Sequence, residues 1–484
     1  MSEQSKNELR TLVIGAGATG SMTIERMRSG KSDMPGMPMV VVDDDEKKIG
    51  SSVSGIEVLG SCDEIPRIVK EHDIAQIVFA IPSATREERA RIYDICLETD
   101  VRILAVPPSL LGTQVEKVKR VPIKQVGATE LLSRPEIMLD TDEAIGLISC
   151  KTVLVTGGGG SIGSEICRQV AKMNPSKVVI FDIYENTAYE LFREFWDEFG
   201  AAANEKFIVE IGSIRDEERL RDLFETYHPQ VVFHAAAHKH VPLMEHNPRE
   251  AVLNNVFGTL NVAKFAHEYG AERFVLISTD KAVNPANVMG ATKRMCEMVM
   301  QRYAVMFGTV FTAVRFGNVL GSHGSVIPLF KAQIAHGGPV TVTHKDVTRY
   351  FMTIPEASRL VIQAGALAKG GEIFVLNMGE PVRIYDLAEK LVKLSGFEPG
   401  VDMEIKVTGL RPGEKLYEEL LMDDEGVVPT EHKDITVSTA KAPTPEEVDQ
   451  KLAILLKAAH SNSDDMVKAA LREAVPTFVP AEER

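Results

Sequence analysis

Twice along this chain a short, β-branched apolar run leads directly into a glycine-rich turn, and twice the next apolar run ends at an aspartate. Thr11-Leu12-Val13-Ile14 enters Gly15-Ala16-Gly17-Ala18-Thr19-Gly20, and Met39–Val42 stops at Asp43. Thr152-Val153-Leu154-Val155 enters Thr156-Gly157-Gly158-Gly159-Gly160-Ser161-Ile162-Gly163, and Lys177–Phe181 stops at Asp182, 19 positions past Gly163. A strand that turns through glycines into a helix fits a parallel sheet with crossover helices. The missing side chains let the helix start approach both the strand and the pyrophosphate of a dinucleotide. The expected fold class is therefore α/β, with two Rossmann-like doubly wound parallel-sheet domains, the second of them long and carrying a small substrate-binding lobe.

Length and composition fit that plan. A chain of 484 residues can bury more than one core, and 44 % apolar with 25 % charged residues is the composition of a globular protein. We place a Rossmann-like domain at 1–130, a linker at 131–150, the larger domain at 151–442 and a helical tail at 443–484. The linker lacks a clear period and contains Pro135. In the first domain, Ile77–Ile81 and Val101–Val106 read as strands and Arg86–Glu98 as a helix.

A formal net charge of −15 argues against a nucleic-acid partner or a broad footprint on an anionic membrane, and leaves room for a local cationic pocket for a phosphorylated ligand. Cys62, Cys96, Cys150, Cys167 and Cys296 show no C-x-x-C spacing, which fits a reducing compartment and no metal site. No run reaches the roughly 18 apolar residues that span a bilayer. The expected location is cytoplasmic, with peripheral attachment to the inner face of the membrane as the alternative.

The second turn is the stronger cofactor site. Gly157, Gly160 and Gly163, with Ser161 and Ile162 opening the helix, would face the pyrophosphate, and Asp182 would accept hydrogen bonds from the adenosine ribose diol. The same carboxylate would repel a 2′-phosphate, so NAD is expected rather than NADP. The first turn matches the pattern, but no catalytic constellation follows it in residues 21–130. His234, His238 and His240 follow an apolar run without acid or thiol partners at ligand spacing, so substrate-loop or structural roles are expected for them instead of metal binding.

Several further motifs occur in order: His234-Ala235-Ala236-Ala237-His238-Lys239-His240-Val241-Pro242, Asn254-Asn255, Ser278-Thr279-Asp280-Lys281, Met289-Gly290-Ala291-Thr292-Lys293, Arg315-Phe316-Gly317-Asn318 and Arg411-Pro412-Gly413-Glu414-Lys415. Together with the turn at Thr156 they resemble the CapD-like polysaccharide-biosynthesis family of extended short-chain dehydrogenases over residues 11–430. The closest similarity is to the large UDP-N-acetylglucosamine 4,6-dehydratases that retain the C5 configuration. Such proteins usually carry four membrane helices ahead of the first Rossmann domain, whereas here that domain comes first, which implies a naturally soluble version or a trimmed chain. The stretch Gly127–Arg134 also departs from the family's D-L-L-x-R pattern.

The resemblance implies a UDP-N-acetylhexosamine substrate and a reaction in three parts: oxidation at C4, loss of water across C5 and C6, and hydride return to C6. It makes Asp280 the acid at C6 and Lys281 the base at C5, with a lowered lysine pKa that burial and Lys293 would supply. Thr279 would hold the C4 oxygen, and Met289 stands where a Y-x-x-x-K pair has its tyrosine. A thioether cannot move a proton, so the departure of the C4 hydroxyl proton is left without an assigned group. Lys293 would contact a cofactor ribose. Asn318, Arg411, Glu414 and His238 would bind substrate, with Arg411 at the diphosphate. A homo-oligomer is expected. The alternatives are a C5-inverting dehydratase, a UDP-sugar 4-epimerase or a catalytically silent NAD-binding regulator.

Overall fold

A computed structural model describes residues 9–29, 36–81, 84–85, 88, 91–92, 95–96, 99, 101–105, 124–125, 141–306, 308–322, 324–394, 397, 399–422, 425–461 and 463–483. The chain divides into two compact units. One gathers Met1–Glu136, Val326–Val342 and Tyr385–Val407; the other gathers Ile137–Ser325, Thr343–Ile384 and Thr408–Arg484. Two pieces of the segment assigned to the larger domain, 151–442, thus cluster with the N-terminal residues, so this division differs from the one drawn on sequence.

The first unit holds a seven-stranded sheet built from β1 (Arg10–Ile14), β2 (Met37–Val42), β3 (Ser52–Val53), β4 (Ile56–Gly60), β5 (Gln76–Phe79), β6 (Arg102–Ala105) and β7 (Lys124–Gln125). Their order is β3-β4-β2-β1-β5-β6-β7, parallel from β4 to β6. Helix α1 (Ala18–Arg28) follows β1. The expected helix at Arg86–Glu98 and the stretch Gly127–Arg134 lie wholly or largely outside the described residues.

The second unit opens inside the segment expected to be a linker. Helix α2 (Thr141–Ile148) buries Ala144, Leu147 and Ile148 in the unit's own core, while 131–140 lie outside the described residues. Its sheet runs through β8 (Thr152–Thr156), β9 (Lys177–Asp182), β10 (Phe207–Ile211), β11 (Val231–His234), β12 (Arg273–Ile277), β13 (Val310–Arg315), β14 (Ile373–Leu376), β15 (Val427–Pro429) and β16 (Ile435–Ser438). The order is β10-β9-β8-β11-β12-β13-β14-β16-β15, parallel as far as β14, with an antiparallel edge.

The central strands are buried on both faces, and so they read as continuous Val, Ile, Leu and Phe runs without alternation. Helix α3 (Ser161–Ala171) follows β8, and helix α4 (Val288–Ala304) precedes β13. The C-terminal helices Pro445–Ala459 and Asp464–Ala474 bury Val448, Leu455, Val467 and Leu471 in the same core that holds Met289 and Cys296, so the tail is part of the unit's interior.

One group of charges lies inside this core. Arg315 on β13 and Glu297 on α4 are fully enclosed and doubly paired, Nε to Oε1 at 2.7 Å and Nη2 to Oε2 at 2.8 Å. Glu425 accepts from Arg315 Nη1 at 2.7 Å, and Arg294 donates to Glu297 at 2.9 Å. Ser278 donates to Glu297 Oε1 at 2.7 Å, which ties the end of the β12 segment to α4. Burial pushes the Glu297 carboxyl up, but Arg315 and Arg294 outweigh it and bring its pKa down to about 2. Among the described residues no helix is long and apolar enough to cross a membrane.

Candidate active site

The second glycine turn is shaped by close backbone approach. Gly157 has φ +67°, and a Cβ there would stand 2.7 Å from the Ala236 backbone nitrogen. A Cβ on Gly163 would collide with the Gly157 carbonyl oxygen, so only glycine lets α3 start this close to β8. Gly160 caps α3, and Ser161 and Ile162 are its first residues, which sets the positive end of the helix dipole at the turn. Asp182 ends β9 and accepts from the backbone N–H groups of Gly159 and Tyr184, each at 2.9 Å. An ionised carboxylate has about four lone-pair sites, so these two bonds leave capacity for a ligand diol.

At the end of β12, separated from β8 by β11, Thr279 opens a single 3₁₀ turn, Asp280–Ala282. The N-terminus of α4 packs against this turn so closely that a Cβ on Gly290 would collide with the Lys281 carbonyl oxygen. Asn287 caps α4, accepting from Gly290 N–H at 2.7 Å, and donates to the Gly413 carbonyl at 2.9 Å. That bond anchors the Arg411–Lys415 turn beside the Thr-Asp-Lys turn. Met289 and Lys293 sit one helical turn apart on α4, both nearly enclosed. Burial holds the Lys293 ammonium below its ordinary pKa, with Cys296 and Glu297 opposing weakly.

Lys281 is the centre of a polar cluster. Its Nζ donates to Asp280 Oδ1 at 3.0 Å and to Asn318 Oδ1 at 3.2 Å, and lies 3.6 Å from Glu418 Oε1. Thr279 Oγ1 donates to the same Asp280 oxygen at 2.8 Å. The Lys281 side chain keeps 16 % of its surface exposed, whereas that of Asp280 has none, so the carboxyl reaches a ligand only through Thr279 and Lys281. Asp280, expected as the acid at C6, is thus the more enclosed member of the pair.

The expected lowering of the Lys281 pKa is corrected. Burial does push it down, but the negative charges of Asp280 and Glu418 win and hold it above the ordinary lysine value. Lys293 is not among its causes. Glu418 itself is pushed up, first by burial and then by the Asp280 charge, against Lys281, Arg349 and Lys415.

The phosphate-side residues divide. Arg411 is exposed, but Glu414 uses its carboxylate inside the protein, accepting from Arg411 N–H at 3.1 Å, Thr343 Oγ1 at 3.0 Å and Arg349 Nη2 at 3.2 Å. Glu414 therefore orders the turn that carries Arg411. Asn318, expected at the uridine diphosphate, accepts from Lys281 Nζ through its amide oxygen. His238 is exposed, and its backbone is clamped by Asn255, which accepts from His238 N–H at 2.8 Å and donates to its carbonyl at 3.1 Å.

Asn255 lies in a π-helical turn, Val252–Phe257, and also reaches Thr292 on α4 at 3.0 Å. His234 closes β11, fully buried between Thr156 at 2.6 Å and Thr259 at 2.9 Å, and burial brings its pKa down to about 3. It is a neutral structural link across the sheet. Among the described residues no group of His, Cys, Asp and Glu could hold a metal ion.

Glu418 and Arg349 went unread in the sequence. Glu418 lies four residues after Glu414, and Arg349 sits in a two-residue strand paired with Val382–Arg383. Neither belongs to a motif, and the tertiary fold alone brings them to Lys281.

A parallel sheet with a glycine turn and ribose-type acid at one edge, and a Thr-Asp-Lys turn over a Met-x-x-x-Lys helix face, is the arrangement of an extended short-chain dehydrogenase/reductase fold. Comparisons with known proteins agree. The family described as "Polysaccharide biosynthesis protein" matches residues 153–440, and a "CoA-binding domain" family matches residues 1–107. The chain belongs to the polysaccharide biosynthesis protein family.

It is 51% identical over 419 residues to the probable polysaccharide biosynthesis protein EpsC of Bacillus subtilis, covering 86% of this chain and 69% of that one. Two relatives with more specific names match at lower identity, each over 57% of this chain. They are a UDP-N-acetylglucosamine 4,6-dehydratase (inverting) of Campylobacter jejuni, 34% identical over 78% of its length, and a UDP-glucose 4-epimerase of Rickettsia canadensis, 35% identical over 79%. The solved structure of Pen from Bacillus thuringiensis superposes with a TM-score of 0.55 at 38% identity, covering 62% of this chain and 88% of that one.

Proposed function

We propose that the chain is an NAD-dependent UDP-N-acetylglucosamine 4,6-dehydratase that forms a 4-keto-6-deoxy sugar with the C5 configuration retained. The observation that carries this reading is the Asp280–Lys281 ion pair, 3.0 Å long, with the lysine side chain 16 % exposed and the aspartate behind it fully enclosed. Passage of one proton from Lys281 Nζ to Asp280 Oδ1 turns that pair into a neutral amine and a carboxylic acid. The amine takes the C5 proton; the acid gives its proton through Thr279 Oγ1 to the departing C6 hydroxyl, which leaves as water, and the ion pair is restored.

The turn residues fit the cofactor, because glycine at Gly157 and Gly163 lets the backbone pack closely enough to set the N-terminus of α3 at the turn, where a diphosphate would meet it. Gly157, Gly160, Ser161, Ile162 and Gly163 would hold the diphosphate, Asp182 the adenosine ribose and Lys293 the other ribose. Bound NAD would accept the C4 hydride and return it to C6. Arg411 would meet the sugar nucleotide's diphosphate on the turn that Glu414 orders, beside the His238 loop.

The test is proton NMR of UDP-N-acetylglucosamine with the protein in deuterated water. A 4-keto-6-deoxy product with gluco configuration and deuterium at C5 is expected, and Lys281→Ala should abolish it. Formation of UDP-N-acetylgalactosamine would establish an epimerase instead, the reading that the Rickettsia relative favours and that Met289, in place of a tyrosine, weighs against. Inverted C5 would establish the other dehydratase, and tight NAD binding without turnover a regulator.

A further inference from the structure

The proposed reaction leaves one proton without an acceptor. Oxidation of C4 breaks the hydroxyl O–H bond as the C–H electron pair departs as hydride, and Met289 occupies the place of the group that would take that proton. Lys281 is held as an ammonium and cannot keep a further proton, so an acceptor must stand behind it. Two carboxylates do. Asp280 Oδ1 already accepts from both Thr279 and Lys281, while its Oδ2 is buried with no hydrogen-bond partner among the described residues. Glu418 is nearly enclosed, with its side chain 3 % exposed; its Oε1 lies 3.6 Å from Lys281 Nζ and 3.8 Å from Arg349 Nε, and its Oε2 is buried with no hydrogen-bond partner among the described residues.

Both carboxylates thus have one unsatisfied oxygen, but Asp280 has two hydrogen bonds on the other whereas Glu418 has only the ion pairs at 3.6 and 3.8 Å, so Glu418 gains more when it is neutralised. The groups facing Glu418 are Lys281 and Asp280 from the turn after β12, Arg349 from its short strand, and Lys415 from its own segment. Burial and Asp280 outweigh the three cations, and the acid's proton affinity is raised accordingly.

We propose that Glu418 is the positioning residue that receives the C4 hydroxyl proton, relayed through Lys281. This rests on the dehydratase reading above. As the C4 O–H bond breaks, Lys281 Nζ takes that proton and hands one of its own to Glu418 Oε1; Lys281 remains an ammonium and Glu418 becomes a neutral acid. When hydride has returned to C6, Lys281 gives a proton to C5 and recovers one from Glu418. The carboxylate is then restored, and no proton is gained or lost over the cycle.

The test compares wild type, Glu418→Gln and Glu418→Asp in the full chain with NAD and UDP-N-acetylglucosamine. Glu418→Gln keeps the shape but cannot take a proton, so kcat should fall about 100-fold, the scale of a lost acid–base group, with KM within threefold. Wild-type kcat should fall at low pH as Glu418 protonates, above the usual carboxylate range, and that acid limb should vanish in Glu418→Gln. Glu418→Asp should recover part of the rate together with the limb.

A second readout isolates the step. Exchange of the C5 hydrogen of the 4-keto product in deuterated water needs Lys281 and Asp280 but no C4 oxidation, so Glu418→Gln should retain it while Lys281→Ala loses it. Loss of C5 exchange in Glu418→Gln, unchanged kcat, or an acid limb that persists would each overturn the proposal. If Glu418→Gln does not fold, a Glu418→Asp enzyme lacking the limb would overturn it equally. Failure of the wild type to make any keto sugar would instead overturn the dehydratase reading.

Discussion

The two glycine turns share a pattern in sequence and differ in what their aspartates do. In both, a Cβ on the last glycine, Gly20 or Gly163, would collide with the carbonyl of the first, Gly15 or Gly157, so the close strand-to-helix approach is common to them. At the middle glycine they part: a Cβ on Gly17 meets nothing within 4 Å, whereas on Gly160 it stands 3.1 Å from the Gly157 oxygen. Asp43 accepts from Ala16 N–H at 2.6 Å and is closed by the Lys48 ammonium, 3.1 Å from Oδ2 and 3.2 Å from Oδ1. Asp182 accepts the matching pair of backbone N–H groups that Asp43 takes from Ala16 and Asp45, so the Lys48 cation is what sets the two acids apart. A glycine fingerprint with its acid is thus a statement about backbone packing. Whether the acid can serve a ribose depends on neighbours that the fingerprint does not contain.

The largest difference between the units lies beneath the turns. The second encloses the Arg315–Glu297–Glu425 cluster, while the ion pairs of the first, among the described residues, lie at its surface. Glu297→Gln leaves Arg294 and part of Arg315 with uncompensated buried charge and should cost about 3 kcal/mol of the second unit's stability. Trp196, the chain's single tryptophan, lies in that unit, so urea unfolding followed by its fluorescence reads the loss. The folded pKa of Glu297 is depressed from 4.5 to about 2, so its contribution should be complete above pH 4.5 and drain away as the pH falls toward 2. A cost under 1 kcal/mol would mean that the cluster relaxes and that the two interiors are alike.

Next in size is cofactor affinity. Asp182→Ala removes charged hydrogen bonds worth about 1.5–3 kcal/mol, so NAD should bind roughly 10- to 100-fold more weakly by calorimetry on the full chain. Asp43→Ala should leave that affinity unchanged. Equal losses would erase the distinction between the turns and make the first a second dinucleotide site.

What could be read in the sequence follows the range of the interactions involved. The turns, Asp182 and the Thr279–Lys293 layout are local, set by glycines and apolar runs within some 30 residues, and they stand in the structure as parallel strands, a capped α3 and a turn packed on α4. The charge state of Lys281 was misjudged because it depends first on its pairing with Asp280 at 3.0 Å and then on Glu418, 137 positions away in sequence and 3.6 Å away in space. The enclosure of Asp280 was invisible for a related reason: Gly317 lies against it, and a Cβ there would stand 3.2 Å from Asp280 Oδ2. Helix α2 was missed because eight residues show barely two turns of periodicity.

The smallest expected effect tests the occupied acid of the first turn. The Asp43 carboxyl is pushed up by burial, but the N–H groups of Ala16 and Asp45 and the Lys48 charge outweigh this and hold it below its ordinary value. Its stabilisation should therefore be present at neutral pH and be lost as the pH falls through that depressed value. Lys48 is 38 % exposed, so solvent screens the pair and Asp43→Asn should cost no more than about 1 kcal/mol, less at high salt. Circular dichroism is the right probe, because Trp196 reports only on the other unit. If the cost exceeds that of Glu297→Gln, the first turn is held by its acid more tightly than the second unit is by its buried cluster, and the contrast between the two units reverses.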